Sequence, residues 1–360
     1  MMQRNATMSL AVALAALAGL AGCSEEAAPW LEPDAGADTE TDTGDTGDAD
    51  ADTDADSDSD SDTDPDAGQG DPGDPLYDSV ESYETTIAAN GDPADVYFPV
   101  PEDAEGLRFP VALLLQGADV GREHYEGVAS RIAAYGFIVV VPDHQSFGFA
   151  GPGLYAEQSE AAEVVAHMAA EDSSATSPVA GAVDVERLVL LGHSYGGVCG
   201  LNILRGVCEP PTCIGLTYER PEQLVGAAFY GTNVALPFVG SVISAIENDG
   251  IPAALVQGTL DGKALPADTQ EAYLMIQDPP KAYVGVIGAN HYGACDENNP
   301  EGAPADSSVP AIAQDVAVET IARWSAMFLR AFALGDPAAV EYVTETGGPA
   351  DTNVNLVVEE

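Results

Sequence analysis

The stretch Arg187-Leu188-Val189-Leu190-Leu191-Gly192-His193-Ser194-Tyr195-Gly196-Gly197 decides how the chain is read. Arg187 to Leu191 is a short, nearly continuous apolar run, the pattern of a strand buried on both faces. It passes without a loop into Gly192-His193-Ser194-Tyr195-Gly196, and a helix is expected to continue to about Arg205. Gly192 and Gly196 stand where a side chain would obstruct a tight strand-to-helix turn. Such a turn lifts the Ser194 hydroxyl clear of the sheet. It also leaves the N–H of Tyr195 at a helix N-terminus, where the dipole favours negative charge.

A serine hydroxyl is a poor nucleophile near neutral pH. It needs a base to take its proton, a group to orient that base, and donors for the oxyanion that forms on attack. Asp261 follows the apolar run Ala253 to Gln257, and His291 follows the run Ala282 to Ile287. His291 is also the only histidine C-terminal to Ser194. The chain order Ser, Asp, His, each just past a strand, makes Ser194, Asp261 and His291 the expected catalytic triad. The second oxyanion donor is expected from Gln116-Gly117-Ala118, which ends the buried run Pro110 to Leu115. There Gly117 permits the turn that aims the Ala118 amide, so the expected oxyanion hole is Ala118 with Tyr195.

Working outward, apolar runs alternate with helical patterns. Strands are expected at 83–88, 95–100, 110–115, 137–141, 187–191, 224–230, 253–257 and 282–287. Helices are expected at about 124–135, 155–171, 195–205, 265–277 and 311–334. This alternation predicts an α/β domain over residues 76–335, with a mostly parallel central sheet and helices on both faces. Residues 336–360 carry no readable signal and are expected to be a C-terminal tail. In an open sheet of this kind, functional residues lie beyond the carboxyl ends of the strands.

Residues of about 84 to 335 resemble the branch of α/β-hydrolases that contains cutinase-like polyester hydrolases, chlorophyllases and platelet-activating-factor acetylhydrolases. The carrying segments are Phe109-Pro110-Val111 through Gln116-Gly117-Ala118, and Ala133-Ala134-Tyr135-Gly136-Phe137 through Val141-Pro142-Asp143-His144. Val183-Asp184-Val185-Glu186-Arg187, leading into the Gly-His-Ser-Tyr-Gly-Gly elbow, is another. The resemblance implies a single-domain α/β-hydrolase fold and a Ser-His-Asp esterase that needs no cofactor. The polyester hydrolases usually carry an aromatic residue after the glycine of the oxyanion loop, where this chain has Ala118. About twenty residues, 206–223, also separate the nucleophile helix from the next strand. Small soluble or lipid-like esters are therefore expected rather than polyesters. The same triad also suits amides, thioesters or peptides, and a third reading is an inactive hydrolase fold used for binding at a surface.

Residues 1–22 read as a secretion signal: Arg4, an apolar run from Leu10 to Leu20, then Leu20-Ala21-Gly22-Cys23. The last four resemble the lipobox of bacterial lipoproteins. That resemblance implies lipidation of Cys23 and anchoring to a membrane through acyl chains, each buried methylene contributing about 0.8 kcal/mol. Because Ser24 follows the cysteine, the expected address is the outer membrane of a bacterial cell envelope. Within residues 23–75, the stretch 34–74 holds 17 acidic and no basic side chains. Such a stretch cannot build a core and repels itself, so a disordered tether is expected. Its alternating Asp lack the turn Gly and closing Glu of an EF-hand loop.

The formal net charge of −49, with 11 basic side chains in all, argues against nucleic acid as a partner. Besides Cys23 the cysteines are Cys199, Cys208, Cys213 and Cys295. Two disulfides are expected in one of three possible connectivities, which sequence does not choose among; Cys208–Cys213 is the most natural pair, and it would leave Cys199 with Cys295. No CxxC or Cys/His spacing points to zinc, and no metal or cofactor is expected. His193 and His144 are expected in packing and structural hydrogen bonds, and His124 and His167 on helix surfaces or in packing. Tyr230 and Tyr292 follow buried strands near the site, and Trp324 reads as core.

Overall fold

In the computed structural model the chain is described over residues 72–148, 151–215, 217–234 and 243–360. The signal segment 1–22, Cys23 and the acidic stretch as far as residue 71 lie outside the described residues. The elements run β1 (Val80–Thr86), β2 (Pro93–Pro99), β3 (Phe109–Leu115), α1 (Glu126–Ala134), β4 (Ile138–Pro142), β5 (Gln145–Gly148) and β6 (Gly151–Leu154). They continue with α2 (Glu160–Ser173), β7 (Val183–His193), α3 (Tyr195–Arg205), β8 (Leu224–Tyr230), β9 (Ala253–Gly258) and α4 (Pro266–Met275). Last come β10 (Lys281–Val286), α5 (Gln314–Phe332), α6 (Pro337–Glu341), α7 (Gly347–Ala350) and β11 (Val354–Glu359).

Nine of these strands form one sheet in the order β1-β2-β4-β3-β7-β8-β9-β10-β11. The six strands from β4 to β10 pair in parallel, while β1, β2 and β11 run antiparallel to their neighbours. Side chains on a strand alternate between faces, and the core divides accordingly. Val189 and Leu191 of β7 join the layer under α1 and α5. Leu188 and Leu190 join the layer under α2, α3 and α4. Helices on both faces of a mostly parallel sheet, within one domain, constitute the α/β-hydrolase fold.

Two expectations need correction. Residues 336–360 are not a featureless tail, because β11 pairs with β10 over its whole length, from Lys281 opposite Glu359 to Val286 opposite Val354. Val354 is buried, and Leu356 and Val358 pack against the core from the same strand face. Cys199 and Cys295 are not bonded: both are free and buried. The reason is topological, since Cys199 belongs to the layer of α2, α3 and α4 and Cys295 to the opposite layer. Cys208–Cys213 is a disulfide. The sequence also gave no hint of the small β5–β6 hairpin, which delays α2 to Glu160. Among the described residues no helix is long and apolar enough to cross a membrane.

Candidate active site

Strands β3, β7, β9 and β10 end on the same edge of the sheet, and the residues singled out in sequence lie just past those ends. Ser194 is the hinge between β7 and α3, with φ 54° and ψ −117°. For a residue with a Cβ this backbone is strained, at a cost of about 1–3 kcal/mol, and it persists only when the surroundings over-determine it. They do so here. The Ser194 amide donates to the carbonyl of Tyr230 at 2.9 Å, and its carbonyl accepts from Thr232 Oγ1 at 2.9 Å. The glycines allow the close approach. A Cβ on Gly196 would fall 2.1 Å from the Leu115 carbonyl oxygen and 2.6 Å from that of Gln116, and one on Gly192 would fall 2.9 Å from Gly196 backbone.

The three residues of the expected triad come together. His291 Nε2 stands 2.8 Å from Ser194 Oγ, and His291 Nδ1 stands 2.9 and 3.0 Å from the two carboxylate oxygens of Asp261. Asp261 and His291 are buried and Ser194 is half-buried, so only the hydroxyl end of the array is open. Asp261 also accepts the backbone amides of Lys263 and Ala264, each at 2.8 Å, and Nε2 of Gln257 at 3.2 Å. These donors hold its carboxylate towards the imidazole. Ala118 is half-buried just past β3, and Tyr195 is the first residue of α3.

Asp306 and Tyr125, which sequence did not single out, help hold this array, together with His193 and Tyr230. Asp306 Oδ2 accepts the amides of His291, at 3.1 Å, and Gly262, at 3.2 Å, and so clasps the His291 loop to the Asp261 loop. Burial would raise the Asp306 pKa, but amide bonds from Ser308, His291 and Gly262 outweigh it and hold the carboxyl below its ordinary range. Tyr230 donates its hydroxyl to the carbonyl of Asn290. His193 is fully buried beside the base. Burial first, and the charge of His291 second, push its pKa down to about 3, so the ring stays neutral. Its Nε2 lies 2.8 Å from the His291 carbonyl oxygen, which can only accept, and so Nε2 carries the proton. Nδ1 must then accept from the Tyr125 hydroxyl at 2.9 Å, and that oxygen in turn accepts the Gly117 amide at 2.9 Å. Gly117 thereby spends its N–H on Tyr125.

His144 makes the structural bond expected of it, Nδ1 to Asp92 Oδ2 at 2.6 Å. His124 pairs with Glu297 at 3.3 Å, and His167 reaches Thr85 Oγ1 at 3.3 Å. Tyr230 and Tyr292 are buried, and Trp324 is wholly enclosed. Among the described residues one group has the donor set for a metal ion: Asp92, His144 and Glu160, all buried and none of them in the triad.

The fold and this arrangement define the class as α/β-hydrolase. Residues 78–212 match the family model described as Chlorophyllase, a family of that superfamily. That span takes in β1 to α3, including the Gln116–Ala118 loop and the turn at Ser194. No curated protein matches the chain.

Proposed function

We propose that the protein is a serine hydrolase of carboxylic esters that works through an acyl-enzyme. The observation that carries this reading is the unbroken line from Asp261 through His291 to the hydroxyl of Ser194, mounted on a strained elbow. The matched family points the same way, towards an ester-type substrate.

In this mechanism His291 Nε2 takes the Ser194 proton as Oγ attacks the ester carbonyl. Asp261 holds Nδ1–H in place and stabilises the imidazolium without itself becoming protonated. The amides of Ala118 and Tyr195 receive the oxyanion, each worth about 3–4 kcal/mol. The imidazolium then gives its proton to the leaving alcohol. Water attacks the acyl-serine by the same route and restores the free hydroxyl. The small side chain of Ala118 offers no stacking face for an aromatic acyl unit, which favours aliphatic, soluble or lipid-like esters. Export, lipidation of Cys23 and a tethering role for the acidic stretch complete the proposal and rest on the sequence.

The test is hydrolysis of p-nitrophenyl esters from acetate to palmitate by the wild type and Ser194→Ala, with labelling by a fluorophosphonate probe alongside. Turnover and labelling that both vanish in the variant are expected. A folded wild-type protein that neither turns over nor labels would refute the reading and favour a binding role.

A further inference from the structure

The chain between β3 and Ala118 carries a polar side chain in a wholly apolar setting. β3 and β4 pair in parallel only as far as Leu113 opposite Val140. Pro142 then ends β4, and it has no N–H with which to carry the ladder on. The next amide, that of Asp143, turns away to the carbonyl of Pro93 at 2.9 Å. Gln116, wholly buried immediately before Gly117 and Ala118, closes the gap with its side chain. Its Nε2 donates to the His144 carbonyl at 2.8 Å, and its Oε1 accepts the His144 amide at 3.2 Å. The carboxamide thus acts as one more peptide unit of the ladder, joining two positions 28 residues apart.

The anchor at the far end of this bracket is firm. His144 Nδ1 lies 2.6 Å from Asp92 Oδ2, and the His144 carbonyl also accepts the Tyr155 amide at 3.1 Å. Two other elements grip the same loop. Gly196 of α3 stands so close that a Cβ there would meet the Leu115 and Gln116 carbonyl oxygens at 2.1 and 2.6 Å. Tyr125, just ahead of α1, takes the Gly117 amide at 2.9 Å. Gln116 adds the tie to the end of β4. Packing alone does not call for an amide here, since an unbranched apolar side chain would fill the same volume. Burying the amide is tolerable only because both of its polar atoms are paired.

We propose, on the serine-hydrolase reading of the site, that Gln116 is a positioning residue that sets the Ala118 amide in the oxyanion hole. Two residues separate it from Ala118, a reach of at most about 7 Å, so any shift of the bracket passes to the donor with little damping. A donor of this kind must meet the oxygen where the oxyanion forms, not where the ground-state carbonyl lies. A misplaced Ala118 amide therefore costs more in the transition state than in substrate binding. A displacement of about 1 Å can cost about 100-fold in rate. Both polar atoms of the Gln116 side chain are spent on His144, so it acts on the reaction only through the loop.

The test compares the full chain with Gln116→Met, which keeps the volume and removes both bonds. Hydrolysis of p-nitrophenyl butyrate reports turnover, and an alkyl trifluoromethyl ketone reports the hole itself. Ser194 Oγ adds to the ketone carbon, the hydroxyl proton passes to His291, and the carbonyl oxygen becomes the oxyanion. In Gln116→Met, kcat should fall about 10–100-fold with KM little changed, short of the loss of a whole donor, and the ketone should bind more weakly by a similar factor. If that variant does not fold by circular dichroism, Gln116→Asn, whose amide falls one methylene short of the bracket, decides in its place. Unchanged kcat and ketone affinity in a folded variant, or a change confined to KM, would overturn the role of Gln116 and leave the hydrolase reading standing. A folded wild type that neither turns over the ester nor binds the ketone would overturn the hydrolase reading, and the role of Gln116 with it.

Discussion

The Tyr125 hydroxyl donates to Nδ1 of His193 across 2.9 Å, and the far end of the chain fixes the direction of that bond. His193 gives its single proton to the His291 carbonyl, so every link from the Gly117 amide to the base loop points the same way. The loop that aims Ala118 and the loop that carries His291 are thus held by one neutral relay.

Tyr125→Phe keeps the ring and removes the relay. The Gly117 amide and His193 Nδ1 are then buried without a partner, a loss of about 1–3 kcal/mol in stability. Because both loops serve the proposed reaction rather than ground-state binding, kcat should fall while KM changes little. Urea midpoints and steady-state kinetics on p-nitrophenyl esters read the two effects, and unchanged kcat in the variant would deny the relay a positioning role.

The neutral ring of His193 makes a pH prediction with a definite sign. Unfolded, the imidazole titrates near 6.5; folded, it resists protonation down to about 3, for burial first and His291 second. Tyr125, Tyr230, Tyr292 and His291 surround it. Between those two pH values the unfolded chain binds a proton that the folded one does not. Its contribution to stability is therefore whole above about pH 6.5 and lost as pH falls, by about 1.4 kcal/mol per unit. In His193→Gln, the dependence of the urea midpoint on pH should flatten by about one proton over this window. An unaltered slope would mean that the folded ring does take up the proton.

Gly196→Ala places a methyl between two backbone carbonyls, where no side-chain rotation gives relief. Overpacking of this kind costs about 1–3 kcal/mol. Relief can come only by parting α3 from the Gln116–Ala118 loop, which would separate the two proposed oxyanion donors. Ester turnover should drop about 100–1000-fold, the loss seen when one such donor is removed. A melting curve near that of the wild type, with turnover intact, would show that the approach is not required.

The surface beside the oxyanion loop should select by charge. A concavity of about 470 Å³ there is lined by Asp119, Glu123, Asp143 and Glu301, and no basic side chain lines it. Arg122 engages Asp143 from outside this lining. An ester whose acyl chain ends in a carboxylate should have a kcat/KM several-fold below its neutral counterpart, with the gap closing as salt rises. Glu301→Gln should narrow the gap at low salt. Equal rates at all ionic strengths would remove the concavity from the substrate path.

Much of the site was legible because strand ends announce it. Ser194, Asp261 and His291 each follow an apolar run, and the fold brings such positions to one edge whatever lies between them. Tyr125 and Asp306 were not legible, since their roles depend on partners 68 and 15 residues away in sequence that only packing selects. The Asp92–His144–Glu160 group is hidden for the same reason: Asp92 and His144 are 52 residues apart and share no motif. β11 carries the alternation Val354, Leu356, Val358, but intervening asparagine and an acidic end mask a strand that is half exposed at the sheet edge. The pairing of Cys199 with Cys295 failed because counting cysteines says nothing of which face of a sheet each will occupy.

That division of the thiols between two faces sets up a race during maturation. In an oxidising medium the unfolded chain offers Cys199 and Cys295 to Cys208 and Cys213, and disulfide exchange takes seconds to hours. Collapse of the two core layers is faster and withdraws one thiol into each, leaving the neighbours across a five-residue separation to oxidise together. The completed fold thus acts as its own protecting group, and any change that slows assembly of either layer should show first as scrambled disulfides rather than as lost stability.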